Sequence, residues 1–159
     1  HMAVKLAAAM GAEVTMLSTS QSKEADARKL GAAHFGLTSD PATFKQLAGS
    51  FDLIIDTISA PHDYNKYLGL LRLEGAMVLL GVPPEPTAVA AGSLIFGHKV
   101  LTGSLIGGIK ETQEMLDFCA EHNIVSDIEV IPVQKVNEAY GRMMKNDVRY
   151  RFVLDMKTL

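Results

Sequence analysis

Two hydrophobic rhythms alternate along the chain. Apolar residues at helical spacing run from Val4 to Met10 in an alanine-rich stretch and stop at Gly11, where a glycine suits a helix end. Glu13 to Ser18 reads as a short strand, Gln21 to Leu30 as a polar surface helix closed by Gly31, and His34 to Leu37 as a second strand. Asp40 and Pro41 open a helix that runs to Ala48, since the acid caps free first-turn amides and proline fits that turn. The strongest strand is Phe51 to Ile58, apolar on both faces at its centre, the pattern of a strand covered by helices. Pro61 to Leu71 follows as a helix, Gly75 to Val82 as another buried strand, Pro83 to Pro86 as a turn and Ser93 to Gly97 as a short helix. Val100 to Ile106 is a fifth strand, and Ile109 to His122 is an amphipathic helix.

This alternation predicts an α/β fold with a mostly parallel sheet and helices on both faces. The last third differs: Asp127 to Val133 and Tyr150 to Met156 read as strands around a helix from Gln134 to Lys145. The expected division is therefore a domain over 1–126 and a separate segment over 127–159, belonging to another layer or an incomplete second domain.

With 159 residues, 48% hydrophobic and 21% charged, the chain has the balance of one folded domain. A net charge of −3 argues against nucleic acid or an anionic membrane as partner. No apolar run reaches the roughly 18 residues that span a bilayer, and no secretory leader opens the chain. Cys119 is the single cysteine, which fits a reducing, cytoplasmic setting.

Chemistry concentrates at the ends of the expected strands. After the first strand stand Ser18, Thr19, Ser20 and Lys23, with no carboxylate among residues 18–23. At the matching place in a dinucleotide-binding fold an acid receives the ribose 2′-hydroxyl of NAD; hydroxyls with a lysine suit the 2′-phosphate of NADP instead. The plainer alternative is that these residues cap the next helix. Gly103 to Gly108 is a glycine-rich stretch opening a helix, either an anion-facing turn or a plain strand-to-helix turn. Gly81 ends a strand, where glycine leaves room for a ligand or simply turns the chain. Asp52 and Asp56 share a strand face by spacing and read as structural, Cys119 reads as a small core residue, and the five histidines read as mostly surface residues without metal-ligand spacing. Arg142, Lys145, Arg149 and Arg151 form a basic cluster, either a solvated face or a contact for cofactor phosphate.

Taken in order, Ala7 to Thr15, Ser18-Thr19-Ser20 with Lys23, Asp52 to Thr57, Gly81-Val82-Pro83 and Arg149 to Phe152 resemble the medium-chain, zinc-type alcohol dehydrogenase superfamily, in its NADP-dependent cinnamyl-alcohol dehydrogenase and aldehyde reductase branch. The resemblance runs over essentially the whole chain. It implies a Rossmann-like fold that begins just past the family's glycine loop, His1 to Lys5 matching the helix turns that follow that loop, so that the central first strand is missing. It also implies that residues from Asp127 onward return to a catalytic domain.

The resemblance further implies site residues and partners. Ser18, Thr19, Ser20 and Lys23 match the 2′-phosphate site, Thr57 and Ile58 the cofactor ribose, Gly81 and Val82 the nicotinamide, and Ser104, Leu105 and Ile106 its carboxamide edge; Arg151 matches an arginine that reaches the pyrophosphate. NADP is the implied cofactor, bound weakly or not at all by this chain alone, with zinc held only by the preceding domain of an intact parent. A homodimer through the Val100–Ile106 edge, association with the missing N-terminal part, and inactivity of the isolated chain are the remaining expectations; the alternative is a non-catalytic folded or engineered module that self-associates without binding NADP. Loss of the central strand would leave a gap, closed by the neighbouring strands, by Asp127 to Val133 or by a partner chain.

Overall fold

The computed structural model describes residues 1–145 and 147–159. Among the described residues there are seven strands and seven α-helices: α1 (Met2–Ala9), β1 (Thr15–Ser18), α2 (Glu24–Lys29), β2 (His34–Leu37), α3 (Pro41–Gln46), β3 (Phe51–Asp56), α4 (Tyr64–Leu68), β4 (Leu71–Leu79), α5 (Ala91–Ile95), β5 (Val100–Gly103), α6 (Ile109–Glu121), β6 (Ile128–Pro132), α7 (Val136–Met143) and β7 (Arg151–Asp155). Short 3₁₀ turns at Gln21–Lys23, Val133–Lys135 and Met156–Thr158 complete the order.

The strands form three sheets among the described residues: β1 with β2, β3-β4-β5, and β6 with β7. β4 runs parallel to both β3 and β5, and β6 is parallel to β7 from Ile128 opposite Arg151 to Pro132 opposite Asp155. Among the described residues β6 is thus paired in a two-stranded sheet with β7.

The chain divides into two compact units, one of His1–Met16, Glu24–Phe35 and Thr112–Leu159, the other of Leu17–Lys23 and Gly36–Glu111. In the first, Gly31 adopts φ +106°, and an added Cβ would stand 3.0 Å from the Ala8 Cβ, so both backbone angle and space select glycine. Lys5 Nζ donates to the Val125 carbonyl at 2.8 Å and pairs with Asp127 at 2.7 Å, tying α1 to the segment before β6.

The second unit holds a core of Ile54, Tyr64, Leu68, Leu70, Leu71 and Met77, with Leu17, Phe44, Leu47 and Leu101 packed around it. Helix caps set the elements around that core. Asp40 accepts from the Ala42 amide at 2.9 Å and Asp63 from the Asn65 amide at 3.0 Å, each satisfying an amide the helix leaves free.

Three expectations change here. β3 is an end strand of its sheet, and Leu53 and Ile55 are 52% and 44% exposed while Ile54 is 9% exposed, so one face of this apolar run is uncovered. The expected helix from Pro61 to Leu71 is shorter, because Leu70 and Leu71 turn into the core and Leu71 opens β4 opposite Phe51. An irregularity in register between Phe51 and Leu53, with Glu74 at φ 60°, absorbs the extra residues. Finally, β5 stops at Gly103, leaving Ser104, Leu105 and Ile106 in the following loop.

Candidate functional site

Parallel strands bring their carboxyl ends to one side of a sheet, and ligands of open α/β sheets bind in the crevice there. At that end of β3-β4-β5, the Asp56 carbonyl accepts from the amides of Leu80 at 2.8 Å and Gly81 at 3.2 Å, and the Leu79 carbonyl accepts from Ser104 at 3.1 Å. The chain segments carrying Thr57 and Ile58, Gly81 and Val82, and Ser104 to Ile106 therefore leave the sheet side by side. Their side chains are uncovered: Val82 is 78%, Leu105 86% and Ile106 88% exposed.

Gly81 is fixed by proximity rather than by backbone angle. A Cβ there would run into the Ile58 carbonyl carbon and oxygen and come within 2.9 Å of the Ser59 amide. Those neighbours are backbone atoms and cannot swing away as a flexible side chain would.

The β1 end lies in the same unit. The Ser20 amide donates to Ser18 Oγ at 3.3 Å, the Ser20 and Ser22 hydroxyls are 2.9 Å apart, and the Thr38 amide donates to the Ser18 carbonyl at 2.8 Å. Thr19 and Lys23 are exposed. Three serines, a threonine and an ammonium, with no carboxylate between residues 18 and 23, offer donors for a phosphate and nothing to repel it.

Other candidates are used up locally. The Gly108 amide donates to Glu111 Oε2 at 2.7 Å, so the glycine-rich stretch before α6 is closed by the helix's own carboxylate, as in a plain strand-to-helix turn. Arg142 pairs with Glu129 at 2.8 Å and with Asp147 at 2.9 Å, and Arg149 pairs with Asp26 at 2.9 Å. Arg142 and Arg149 of the basic cluster are thus held in surface ion pairs, in which Asp147 and Glu129 raise the Arg142 pKa and Arg142 lowers that of Glu129. Arg151 opens β7 in the other unit and is exposed.

Sequence reasoning missed one pair. Asp56 is buried at 6% exposure, and its Oδ2 lies 2.8 Å from His62 Nε2 while its Oδ1 accepts from the Ile58 amide at 3.0 Å. The His62 side chain is only 12% exposed, so it is not one of the surface histidines. Asp52, by contrast, is exposed and pairs with Arg72, so the two strand carboxylates do not act together. A six-residue separation across an irregular loop carries no periodic signal, and only the fold shows the contact.

The zinc implied by the resemblance finds no fitting donors here. Cys119 is buried with its Sγ 3.6 Å from Met115 Sδ, and among the described residues no three His, Cys, Asp or Glu side chains gather as a metal site. No described helix is long and apolar enough to cross a membrane.

Known proteins match this chain closely. It is 57% identical over all 159 residues to NADP-dependent alcohol dehydrogenase C 1 of Mycolicibacterium smegmatis, of which it covers 46%. A cinnamyl alcohol dehydrogenase structure from Sorghum bicolor aligns over 98% of the chain and 44% of its own length, with a TM-score of 0.94 and 45% identity. CAD from Helicobacter pylori, solved in complex with NADP(H), aligns over the same 98% and 44% with a TM-score of 0.86 and 40% identity. The chain thus spans about half the length of the relatives it matches, and its α/β fold is their Rossmann-like one. Residues 1–121 match the model of the family described as zinc-binding dehydrogenase, and the chain belongs to that family.

Proposed function

We propose that the chain is the NADP-binding part of an alcohol dehydrogenase, contributing cofactor recognition to an aldehyde or primary alcohol oxidoreductase and not itself catalysing the reaction. The observation that carries this reading is the convergence of three strand ends beside Thr57, Ile58, Gly81, Val82 and Ser104, with a carboxylate-free cluster of hydroxyls and Lys23 at the end of β1 in the same unit.

In this reading Ser18, Thr19, Ser20 and Lys23 hold the 2′-phosphate by hydrogen bonds and charge. Thr57 and Ile58 flank the ribose, while Gly81 and Val82 offer a flat, partly apolar surface to the nicotinamide ring. Ser104, Leu105 and Ile106 bound its carboxamide edge and exclude water there. The bound cofactor supplies the hydride; the residues of this chain orient it. Among the described residues no group of His, Cys, Asp or Glu side chains is placed to hold zinc.

Two further parts belong to the proposal. The free edge of β5, with Val100 50% exposed, is an open row of backbone donors and acceptors that a second copy can pair with. A cytoplasmic setting suits both the free cysteine and the reduced cofactor.

The test is a fluorescence titration with NADPH and NADH, followed by an aldehyde reduction assay with added zinc. Saturable binding that favours NADPH, without turnover by this chain, is the expected result. Turnover by residues 1–159 alone would refute the division of labour, and equal or stronger NADH binding would refute the role of Ser18 to Lys23.

A further inference from the structure

Asn65, in the first turn of α4, uses its whole side-chain amide. Its Nδ2 donates to Asp63 Oδ1 at 3.1 Å and to the Ala88 carbonyl at 3.2 Å, and its Oδ1 accepts from the Ala90 amide at 2.9 Å and from the Ser93 hydroxyl at 3.1 Å. The backbone partners fix which way the group points, since a carbonyl only accepts and a backbone N–H only donates. Two donors and two acceptor positions are matched, the full capacity of an asparagine side chain. Three of these four bonds reach residues 88–93, the junction between the loop after β4 and α5. The N-cap of α5, Ala90, has no side chain to cap the helix; its own amide is taken by Asn65, as a capping box would take it from within the helix.

Val89 packs against the core beside this junction. From Val82 to Val89 the chain makes no backbone–backbone hydrogen bond among the described residues, yet it is stiff. In the run Val82-Pro83-Pro84-Glu85-Pro86 every residue either is a proline or precedes one. Proline locks φ at about −65°, and the residue before it loses the helical region. At the start of the segment the Gly81 amide donates to the Asp56 carbonyl at 3.2 Å. With so few torsions free, a shift at Ala88 is carried through to Val82 instead of being absorbed on the way.

We propose that Asn65 is a positioning residue for the nicotinamide end of the cofactor: by fixing Ala88, Ala90 and Ser93 it sets, through the proline-stiffened segment, where Val82 presents its surface. The inference rests on the cofactor reading above. Asn65 is not among the proposed cofactor contacts and acts only through this segment, whose near end carries Gly81 and Val82.

The experiment titrates two ligands into the protein as its own gene encodes it and into its Asn65→Ala and Asn65→Asp forms. NADPH spans both ends of the proposed site, whereas adenosine 2′,5′-bisphosphate carries the adenosine and the 2′-phosphate without the nicotinamide. Asn65→Asp keeps an oxygen for the Ala90 amide and the Ser93 hydroxyl but sets an acceptor against the Ala88 carbonyl and the Asp63 carboxylate; it decides the matter should Asn65→Ala fail to fold. The unsubstituted and Asn65→Ala forms are also made with Pro84→Gly and Pro86→Gly together, and the Val82 amide resonance is followed without ligand.

Both replacements of Asn65 are expected to move the Val82 amide and to weaken NADPH binding about tenfold, the order that loss of such hydrogen bonds gives, while the bisphosphate stays within about twofold. With glycine at positions 84 and 86 the added cost of Asn65→Ala on NADPH should fall below about twofold, because a flexible segment no longer transmits it and coupled positions are not additive. Equal weakening of both ligands, an unchanged NADPH affinity, an unmoved Val82 amide, or full additivity with the glycine replacements overturns the positioning role. Absence of NADPH binding by the unsubstituted protein overturns the cofactor reading and this inference with it; the Val82 resonance sets that result apart, because it reports on the segment without any ligand.

Discussion

The carbonyl of Ile58 occupies the space that a side chain at position 81 would need. Because the obstruction is backbone on both sides, Gly81→Ala must push the loop after β3 away from the loop after β4. Overpacking of this kind costs about 1–3 kcal/mol. We expect Gly81→Ala to lower the midpoint of urea unfolding and to weaken NADPH binding more than a stability change alone would, because the displaced Ile58 is also a proposed cofactor contact.

Leu68 is fully buried at 0% exposure, in the core formed with Tyr64, Leu71 and Met77. Leu68→Ala leaves a cavity there and is expected to destabilise the fold by about 2–5 kcal/mol. Denaturant titration checks this, with Leu105→Ala as control: that side chain is 86% exposed and should change stability by less than about 0.5 kcal/mol.

Lys23 is exposed beside the hydroxyls of Ser18 to Ser22, so its removal should leave the fold intact. In the proposed role it meets a phosphate that NADH lacks. Lys23→Ala is expected to weaken NADPH binding about tenfold, roughly 1.4 kcal/mol, while NADH binding stays within about twofold; parallel titrations of the two cofactors measure the difference.

Tyr67 gives a pH dependence of stability with a definite sign. Burial raises its pKa above the ordinary value of 10.0, a hydrogen bond from Thr38 opposes this, and the Asp56 charge adds to it. The folded state therefore keeps its phenolic proton at a pH where the unfolded chain has lost it. By linkage, this contribution to stability is fully present below the unfolded pKa of about 10 and declines as pH rises above it. The stability difference between wild type and Tyr67→Phe, followed by denaturant melts from about pH 8 to about pH 11, should be level below about pH 9 and then shift in favour of the variant. Tyr150, whose pKa is also raised by burial, contributes equally to both proteins and cancels.

Pairing of β5 edges predicts a second copy in solution. Val100→Lys places a charge on the open edge, a substitution that natural sheets use against such pairing. Sedimentation should find a dimer in the unsubstituted protein and a monomer in the variant; a compact monomer at high concentration in both would contradict the pairing.

Much of the fold was legible because its elements carry their own signals. Asp40-Pro41 marks a helix start by a capping mechanism that the structure shows at 2.9 Å, and the apolar run of residues 51–56 reads as a strand in any context. What failed were boundaries decided by packing. Leu70 and Leu71 continue a helical pattern in sequence but are drawn into the core as the start of β4, and no local signal separates those outcomes. The uncovered face of β3 was equally hidden, since Leu53 and Ile55 look like core residues in sequence and are exposed because that face of the strand is not packed over, while Ile54 on the other face is buried. At the candidate site, the strand-end residues followed from topology and from likeness to a family. His62 did not, because its partner Asp56 is brought to it only when the loop folds back.

The most direct test of the central claim is a side-by-side titration of this protein with NADPH and NADH by cofactor fluorescence. The account predicts saturable binding of NADPH at least about tenfold tighter than NADH, with the preference abolished by Lys23→Ala. Preference for NADH, or no binding of either by the protein as its gene encodes it, would contradict it.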